Sequence, residues 1–73
     1  MKSLLSERQL EVAKYAALGY TTSETAEIMA IAPNTVQHHK KKLLKKLHAR
    51  NMANAVSILI EEKYLSLEEL FGD

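Results

Sequence analysis

Apolar residues recur along this chain at the three- and four-residue spacing of amphipathic α-helices, and no segment shows the strict alternation of a β-strand. The first stripe predicts a scaffold helix over residues 7–18, with Ser6 and Gln9 as a capping box at its start and Gly19 as its stop. We expect this helix to bury one face, made of Val12, Ala13, Tyr15 and Ala16.

Two helices separated by a three-residue turn follow. Thr21 and Glu24 form a second capping box, which predicts a short helix over residues 22–29. Pro33 then stands at the favoured first position of a longer helix over residues 33–47. The apolar stripe of the longer helix should attach it to the core through Val36, Leu43, Leu44 and Leu47.

The last third of the chain predicts one more long helix and a short one. Asn51 is suited to cap a helix over residues 52–63, and Ser66 begins a further capping box. We expect the final turn to make apolar contacts through Leu67, Leu70 and Phe71. The pattern therefore predicts an all-α four-helix bundle over residues 1–65, with a short extra C-terminal helical turn in an acidic tail, residues 66–73.

Composition narrows the class of protein. With 73 residues, of which 47% are apolar, the chain is one small folded domain near the lower limit for an independent core. It has no cysteine, which excludes disulfides and thiolate zinc sites and leaves oligomerisation as a source of extra burial. Neither a signal peptide nor a membrane-spanning run is visible, so we expect a cytoplasmic protein without membrane contact.

The formal net charge of +1 conceals a separation of charge along the chain. Residues 33–50 contain six lysines and arginines and no acid, whereas residues 61–73 contain five acids and one lysine. His38 and His39 are adjacent, so they project about 100° apart on a helix and do not have the i, i+4 spacing of a metal pair. A basic face and an acidic end are typical of a nucleic-acid-binding domain, and we predict neither a metal nor a cofactor.

A short helix, a tight turn and a longer basic helix form a helix-turn-helix, whose second helix enters the major groove of DNA. Side chains in the first half of that helix read bases, while cations around it hold phosphates. Gln37 suits adenine, and Lys41, one turn further along, suits guanine. No nucleophile–base arrangement or phosphate-binding loop is visible, so we do not expect an enzyme.

Several segments also follow a known pattern in order and spacing. The pattern Leu-Thr-x-Arg-Glu-x-Glu-Val appears at residues 5–12 as Leu-Ser-Glu-Arg-Gln-Leu-Glu-Val. Gly-x-Ser-Asn-Lys-Glu-Ile-Ala appears at residues 19–26 as Gly-Tyr-Thr-Thr-Ser-Glu-Thr-Ala, and Ser-x-x-Thr-Val-x-x-His appears at residues 32–39 as Ala-Pro-Asn-Thr-Val-Gln-His-His. The pattern Lys-Leu-Gly-Val appears at residues 46–49 as Lys-Leu-His-Ala, and Ala-Val follows at residues 55–56. The chain thus resembles a small freestanding member of the LuxR/GerE-type helix-turn-helix family, the output domain of many bacterial response and quorum-sensing regulators.

This resemblance implies a transcription regulator that binds double-stranded DNA and pairs with a second copy through its fourth helix. Together with the helix-turn-helix geometry, it predicts base contacts from Asn34, Gln37, His38 and Lys41. Contacts to the DNA backbone are expected from Thr22, Ser23, Thr35, His39, Lys40, Lys42, Lys45 and Lys46. The homodimer interface is expected to contain Met52, Ala55, Val56, Ile58 and Leu59.

Several departures from the family pattern affect these expectations, among them Met52 in place of an arginine and His38 in place of an aliphatic or small residue. Ala32 replaces a capping serine or threonine, so Asn34 or a bound phosphate would satisfy the free amide groups at the start of the third helix. Thr25 replaces a core isoleucine. Lys40 replaces an aliphatic residue, and we expect its stem to follow the core and its ammonium group to lie in solvent or on a phosphate.

Two alternatives remain beside the DNA-binding regulator. A sigma-factor-like promoter-binding domain shares the helix-turn-helix and would require RNA polymerase as a partner. A protein-interaction module that keeps the fold but sequesters another regulator is suggested by Leu10, Leu18, Phe71 and the acidic tail.

Overall fold

The computed structural model describes residues 5–72, which form five α-helices. They are α1 (Glu7–Ala17), α2 (Thr22–Met29), α3 (Pro33–Leu47), α4 (Met52–Glu61) and α5 (Leu67–Phe71). No strand occurs within this part of the chain, and the prediction of an all-α fold is confirmed. Residues 1–4 of the predicted bundle and Asp73 of the predicted tail lie outside the described residues.

The helices begin where capping chemistry predicts. The first two of the three predicted capping boxes are reciprocal, and the hydroxyls of Ser6 and Thr21 each accept a hydrogen bond of 3.1 Å from the backbone amide three residues later. At the third, the Ser66 hydroxyl accepts from the amide of Glu69 at 3.0 Å without the return bond. The Asn51 side chain caps α4 by accepting from the amide of Asn54 at 2.8 Å. Since each cap satisfies an amide that has no partner inside the helix, these starts are determined locally.

Two clusters of buried side chains form the core, and α1 and α3 contribute to both. The cluster beneath α2 consists of Val12, Ala26, Met29 and Val36. The cluster beneath α4 consists of Ala13, Leu43, Ala55, Leu59 and Leu65. Because neighbouring residues of a helix project about 100° apart, Val12 and Ala13 let α1 face both clusters. Helix α3 reaches the two clusters with Val36 and Leu43, about two turns apart.

Two polar residues are buried with this core. Gln9 is 4% exposed and Thr25 is 1% exposed. The Gln9 side-chain oxygen accepts from the amide of Ser6 at 3.1 Å and from the ammonium group of Lys46 at 3.4 Å. No buried side-chain nitrogen or oxygen in residues 5–72 lacks a hydrogen-bond partner. The core therefore avoids the penalty of about 1–3 kcal/mol for an unpaired buried polar group.

Helix α1 is one residue shorter than predicted. The predicted helix over residues 7–18 ends at Ala17, and Leu18 is the residue that caps it. The amide of Leu18 makes the last hydrogen bond of the helix, to the carbonyl of Lys14 at 3.1 Å. Gly19 follows with φ 94°, a left-handed conformation in which a side chain is strained. The glycine predicted as the stop signal thus does redirect the chain.

Helix α4 is two residues shorter than predicted. The predicted helix over residues 52–63 ends at Glu61, and Lys63 has φ 69°. The amides of Tyr64 and Leu65 both donate to the carbonyl of Leu59, at 2.8 and 3.2 Å. This tight turn brings Leu65 into the core, where it is 5% exposed.

The acidic C-terminal segment is packed against the bundle through one side chain of α5. Leu70 is 7% exposed, whereas Leu67 and Phe71 are 60% and 65% exposed. The expectation that all three would make apolar contacts is therefore wrong for Leu67 and Phe71. A helix of five residues has little more than one turn, so only one of its side chains faces the core. None of the helices in residues 5–72 is long and apolar enough to cross a membrane.

Ala30, which ends α2, is strained. It has φ 59° and ψ 43°, in the left-handed region that costs a residue with a Cβ about 1–2 kcal/mol. We expect Ala30→Gly to raise the free energy of unfolding by about 1 kcal/mol, as measured by urea denaturation. The matched change Ser57→Gly, at an exposed position in the middle of α4, should lower it by about 0.5 kcal/mol. A loss of stability in Ala30→Gly would contradict the left-handed geometry.

Candidate nucleic-acid interface

The turn between α2 and α3 fixes the angle at which α3 leaves the bundle. The amide of Ile31 donates to the carbonyl of Ala26 at 3.0 Å, and Ile31 packs against the core cluster beneath α2. Pro33 is the first residue of α3, and Ala32 provides no side-chain cap, as predicted. Pro33 has no amide proton, and the amides of Thr35 and Val36 both donate to the carbonyl of Ala32, at 2.9 and 3.2 Å. The amide of Asn34 is therefore the one left without a partner inside the helix.

A line of exposed polar side chains runs along α3 on the side away from the core. Its members follow at steps of four, three and four residues and are Asn34, His38, Lys41 and Lys45. The line extends over about 16 Å of helix. Gln37 and Lys42 are also exposed and lie on its two flanks. Thus all four predicted base-contacting residues are exposed. Asn34, His38 and Lys41 belong to the line, and Gln37 lies beside it.

The residues predicted to contact the DNA backbone differ in exposure. Thr35, Lys42, Lys45 and Lys46 are exposed on α3, as is Ser23 at the start of α2, while Thr22, His39 and Lys40 are half-buried. Helix α3 contains no acidic residue. Within residues 5–72 the ion pair found is Arg8 with Glu11, at 3.2 Å on α1. Lys41, Lys42 and Lys45 therefore present a positive surface that no described carboxylate neutralises.

Lys40 connects α3 to the start of α2. Its ammonium group donates to the Thr22 hydroxyl at 2.9 Å. The expectation that this group would lie in solvent or on a phosphate is thus replaced by a contact within the protein. The hydrogen bond puts a cation beside the amino end of α2, where the helix dipole is also positive. One side of the helix-turn-helix therefore gains positive potential from two sources.

Lys46 plays a corresponding part at the other end of α3. Its contact with the buried oxygen of Gln9 joins α3 to the start of α1. Sequence reasoning identified Gln9 as a capping residue but missed this second partner. The available signal was that a capping glutamine has one oxygen with room for two donors.

The predicted dimer residues do not form one surface. Ala55 and Leu59 are completely buried in the core, so their assignment to the interface is wrong. Helical periodicity places these two on the inner side of α4, and places Val56 and Ile58 on opposite flanks. Val56 and Met52, both half-buried, line a shallow groove of about 350 Å³ with Ala16, Ala17 and Ala53.

Comparison with known proteins assigns this architecture to a family. Residues 3–59 match the model of a protein family that is described as "Bacterial regulatory proteins, luxR family". The chain belongs to this family. The resemblance to the LuxR/GerE-type family is confirmed, and the chain is a DNA-binding domain of the kind found in LuxR-type transcription regulators. No cluster of three or more potential metal ligands occurs in the part of the chain that the structure describes.

Several curated relatives resemble this LuxR-family domain. It is 38% identical over 60 residues to the transcriptional activator protein YukR of Yersinia ruckeri. It is 32% identical over 62 residues to the oxygen regulatory protein NreC of Staphylococcus carnosus. It is 31% identical over 61 residues to the nitrate/nitrite response regulator protein NarP of Escherichia coli. These matches cover 82%, 85% and 84% of this chain but only 26%, 29% and 28% of the relatives.

We expect the hydrogen bond between Lys40 and Thr22 to stabilise the contact between α2 and α3. In a double-mutant cycle of Lys40→Met and Thr22→Val, urea unfolding should show a coupling energy of about 0.5–1.5 kcal/mol. Methionine keeps most of the apolar stem, so the cycle isolates the hydrogen bond. Lys42→Met combined with Thr22→Val is the control, and its effects should add. Additive effects for Lys40 would show that the bond does not stabilise the fold.

Proposed function

We propose that this domain binds specific sequences of double-stranded DNA as a homodimer, with α3 of each copy in the major groove. The line formed by Asn34, His38, Lys41 and Lys45 supports this proposal, because it is polar, basic and directed away from the core. The major groove is about 12 Å wide and accepts one helix. Selection of bound sequences from a random duplex pool tests it directly, and failure to enrich any sequence would refute specific binding.

The proposal divides the roles along α3. Asn34, Gln37, His38 and Lys41 lie in its first nine residues and read base edges. Phosphates are held by the later lysines of α3 and by the start of α2. These residues are Lys42, Lys45, Lys46, Thr22 and Ser23. Thr35, His39 and Lys40 complete the backbone contacts, and Lys40 also keeps Thr22 in place. Such contacts release counterions, so affinity should fall steeply as salt rises.

Replacing single lysines distinguishes reading of bases from binding of phosphates. Lys41→Ala should cost about 1–3 kcal/mol and relax the base preference at one position of the selected site. Lys45→Ala should weaken all sequences alike and reduce the slope of log K against log salt by about 0.9. Both effects are measured by fluorescence anisotropy at several salt concentrations.

Lys14→Ala provides the matched control for these lysine variants. It removes the same charge from α1, where Lys14 lines a groove with Glu7 and Glu11 on the side away from Val12. DNA affinity should stay unchanged. If the alanine variants of Lys14, Lys41 and Lys45 all lost the same DNA affinity, binding would depend on the total charge of the protein and not on a defined interface.

We propose further that two copies pair through the groove side of α4. Met52 and Val56 are the half-buried apolar residues there, and the neighbouring alanines allow close approach of a second helix. An isologous pair of this kind presents two α3 helices to successive major-groove segments, about 34 Å apart. The selected DNA site should accordingly contain two inverted half-sites.

Two substitutions on opposite flanks of α4 locate the interface. Val56→Asp should convert the dimer to a monomer in sedimentation experiments, because it places a carboxylate in an apolar contact. Ile58→Asp should leave the dimer intact, and circular dichroism checks that both variants remain folded. If Ile58→Asp alone dissociates the dimer, the interface lies on the other flank.

A further inference from the structure

The loop between α3 and α4 holds two exposed basic side chains in a fixed backbone. His48 and Arg50 are exposed, while Ala49 between them packs against the core cluster beneath α4. The amide of Ala49 donates to the carbonyl of Leu44 at 2.9 Å, and the amide of Arg50 donates to the side chain of Asn54 at 3.0 Å. The loop is therefore anchored on both sides of Ala49, and its two basic residues lie at the surface.

His48 occupies a conformation that disfavours histidine. It has φ 54° and ψ 38°, in the left-handed region, at the position where the family pattern has glycine. Its ring makes no hydrogen bond or ion pair with any residue in 5–72, so no described contact of the ring compensates this strain. Strained residues of this kind cluster at functional sites. Ala30 and Lys63 share the left-handed conformation, so the strain points to a role only because His48 also lies beside Arg50 at the carboxyl end of the basic helix α3.

The geometry of α3 indicates where that role lies. The helix has 15 residues and is about 22 Å long, whereas the major groove is about 12 Å wide. Residues 34–41 span about 10 Å of this helix, so when they lie in the groove the second half of α3 extends beyond the bases they read, towards the phosphates that border the groove. Lys45 is one turn beyond Lys41, and the loop lies one further turn along.

The chemistry of the loop suits a phosphate. The Arg50 guanidinium forms no ion pair within residues 5–72, and arginine binds phosphate oxygens through two parallel hydrogen bonds. A histidine ring donates a hydrogen bond to an oxygen whether it is neutral or charged. Helix α4 begins at Met52, immediately after the loop, so the positive end of its dipole adds to the same potential.

We propose that His48 and Arg50 form a phosphate-binding site that anchors the carboxyl end of α3 on the DNA backbone. This site rests on the proposed function of α3 and adds a contact that reads no base. It explains why a strained histidine stands where glycine would fit better: the residue contributes to DNA affinity at the expense of stability.

The test measures thermal stability and DNA affinity on the same variants. His48→Gly should raise the unfolding midpoint by about 4–8 °C, because the strain is released. The same change should weaken binding to the selected duplex about two- to tenfold, the range for one ordinary hydrogen bond. Arg50→Gln should weaken binding by about tenfold or more and lower the salt slope by about 0.9.

Lys63→Gly is the matched control. Lys63 is an exposed cation with φ 69°, and it lies beyond the far end of α4, about 15 Å along that helix. Its replacement should raise the midpoint as His48→Gly does, while DNA affinity and salt slope stay those of the original protein. Lys63→Gly therefore shows the effect of releasing strain alone, which is a higher unfolding midpoint with unchanged DNA affinity.

The outcomes separate this site from the wider proposal. One outcome is that the unchanged protein binds DNA, Lys45→Ala weakens this binding, and His48→Gly and Arg50→Gln bind normally. That outcome refutes the phosphate site in the loop and leaves the proposed role of α3 intact. An unchanged midpoint in His48→Gly would refute the strain on which the site depends. If the unchanged protein binds no DNA, both proposals fail together.

Discussion

The arrangement of this domain depends on the complete burial of Val36 and Leu43 on one side of α3. Each buried side chain of this size contributes about 1.5–3 kcal/mol. Val36 joins α3 to α2, and Leu43 joins it to α4, while α1 packs against both core clusters through Val12 and Ala13. Since the two anchors project to the same side, the opposite side of α3 must face solvent along its whole length.

A helix attached in this way can carry an excess of charge. Five lysines lie on α3 without an acid, which disfavours the compact state through repulsion. Lys40 and Lys46 reduce this cost by donating to oxygens on α2 and α1. The lysines at the centre of the exposed side have no such partner and remain available to a polyanion. The same charges therefore weaken the isolated fold and favour its complex with DNA.

Local signals in the sequence were reliable where the physics is local. The starts of α1, α2, α3 and α4 agree with prediction, because each is set by a side chain next to the helix end or by Pro33. Predictions about the faces of α4 and α5 were weaker. Ala55 and Leu59 were assigned to an interface, and Phe71 was expected to make apolar contacts, although the structure buries the first two and exposes the third. A stripe at helical spacing shows that a face is apolar but does not show what covers it.

The sequence by itself determined the helical architecture, the helix-turn-helix and the concentration of positive charge on its second helix. These features follow from periodicity, capping residues and composition, which need no knowledge of distant contacts. Tertiary structure alone decided which cations are held inside the protein and which face outward. It also revealed the strained backbone at His48, because a positive φ depends on how α3, the loop and α4 meet around Ala49. Contacts between residues far apart in the chain depend on packing angles, and these are set only when all the helices share one core.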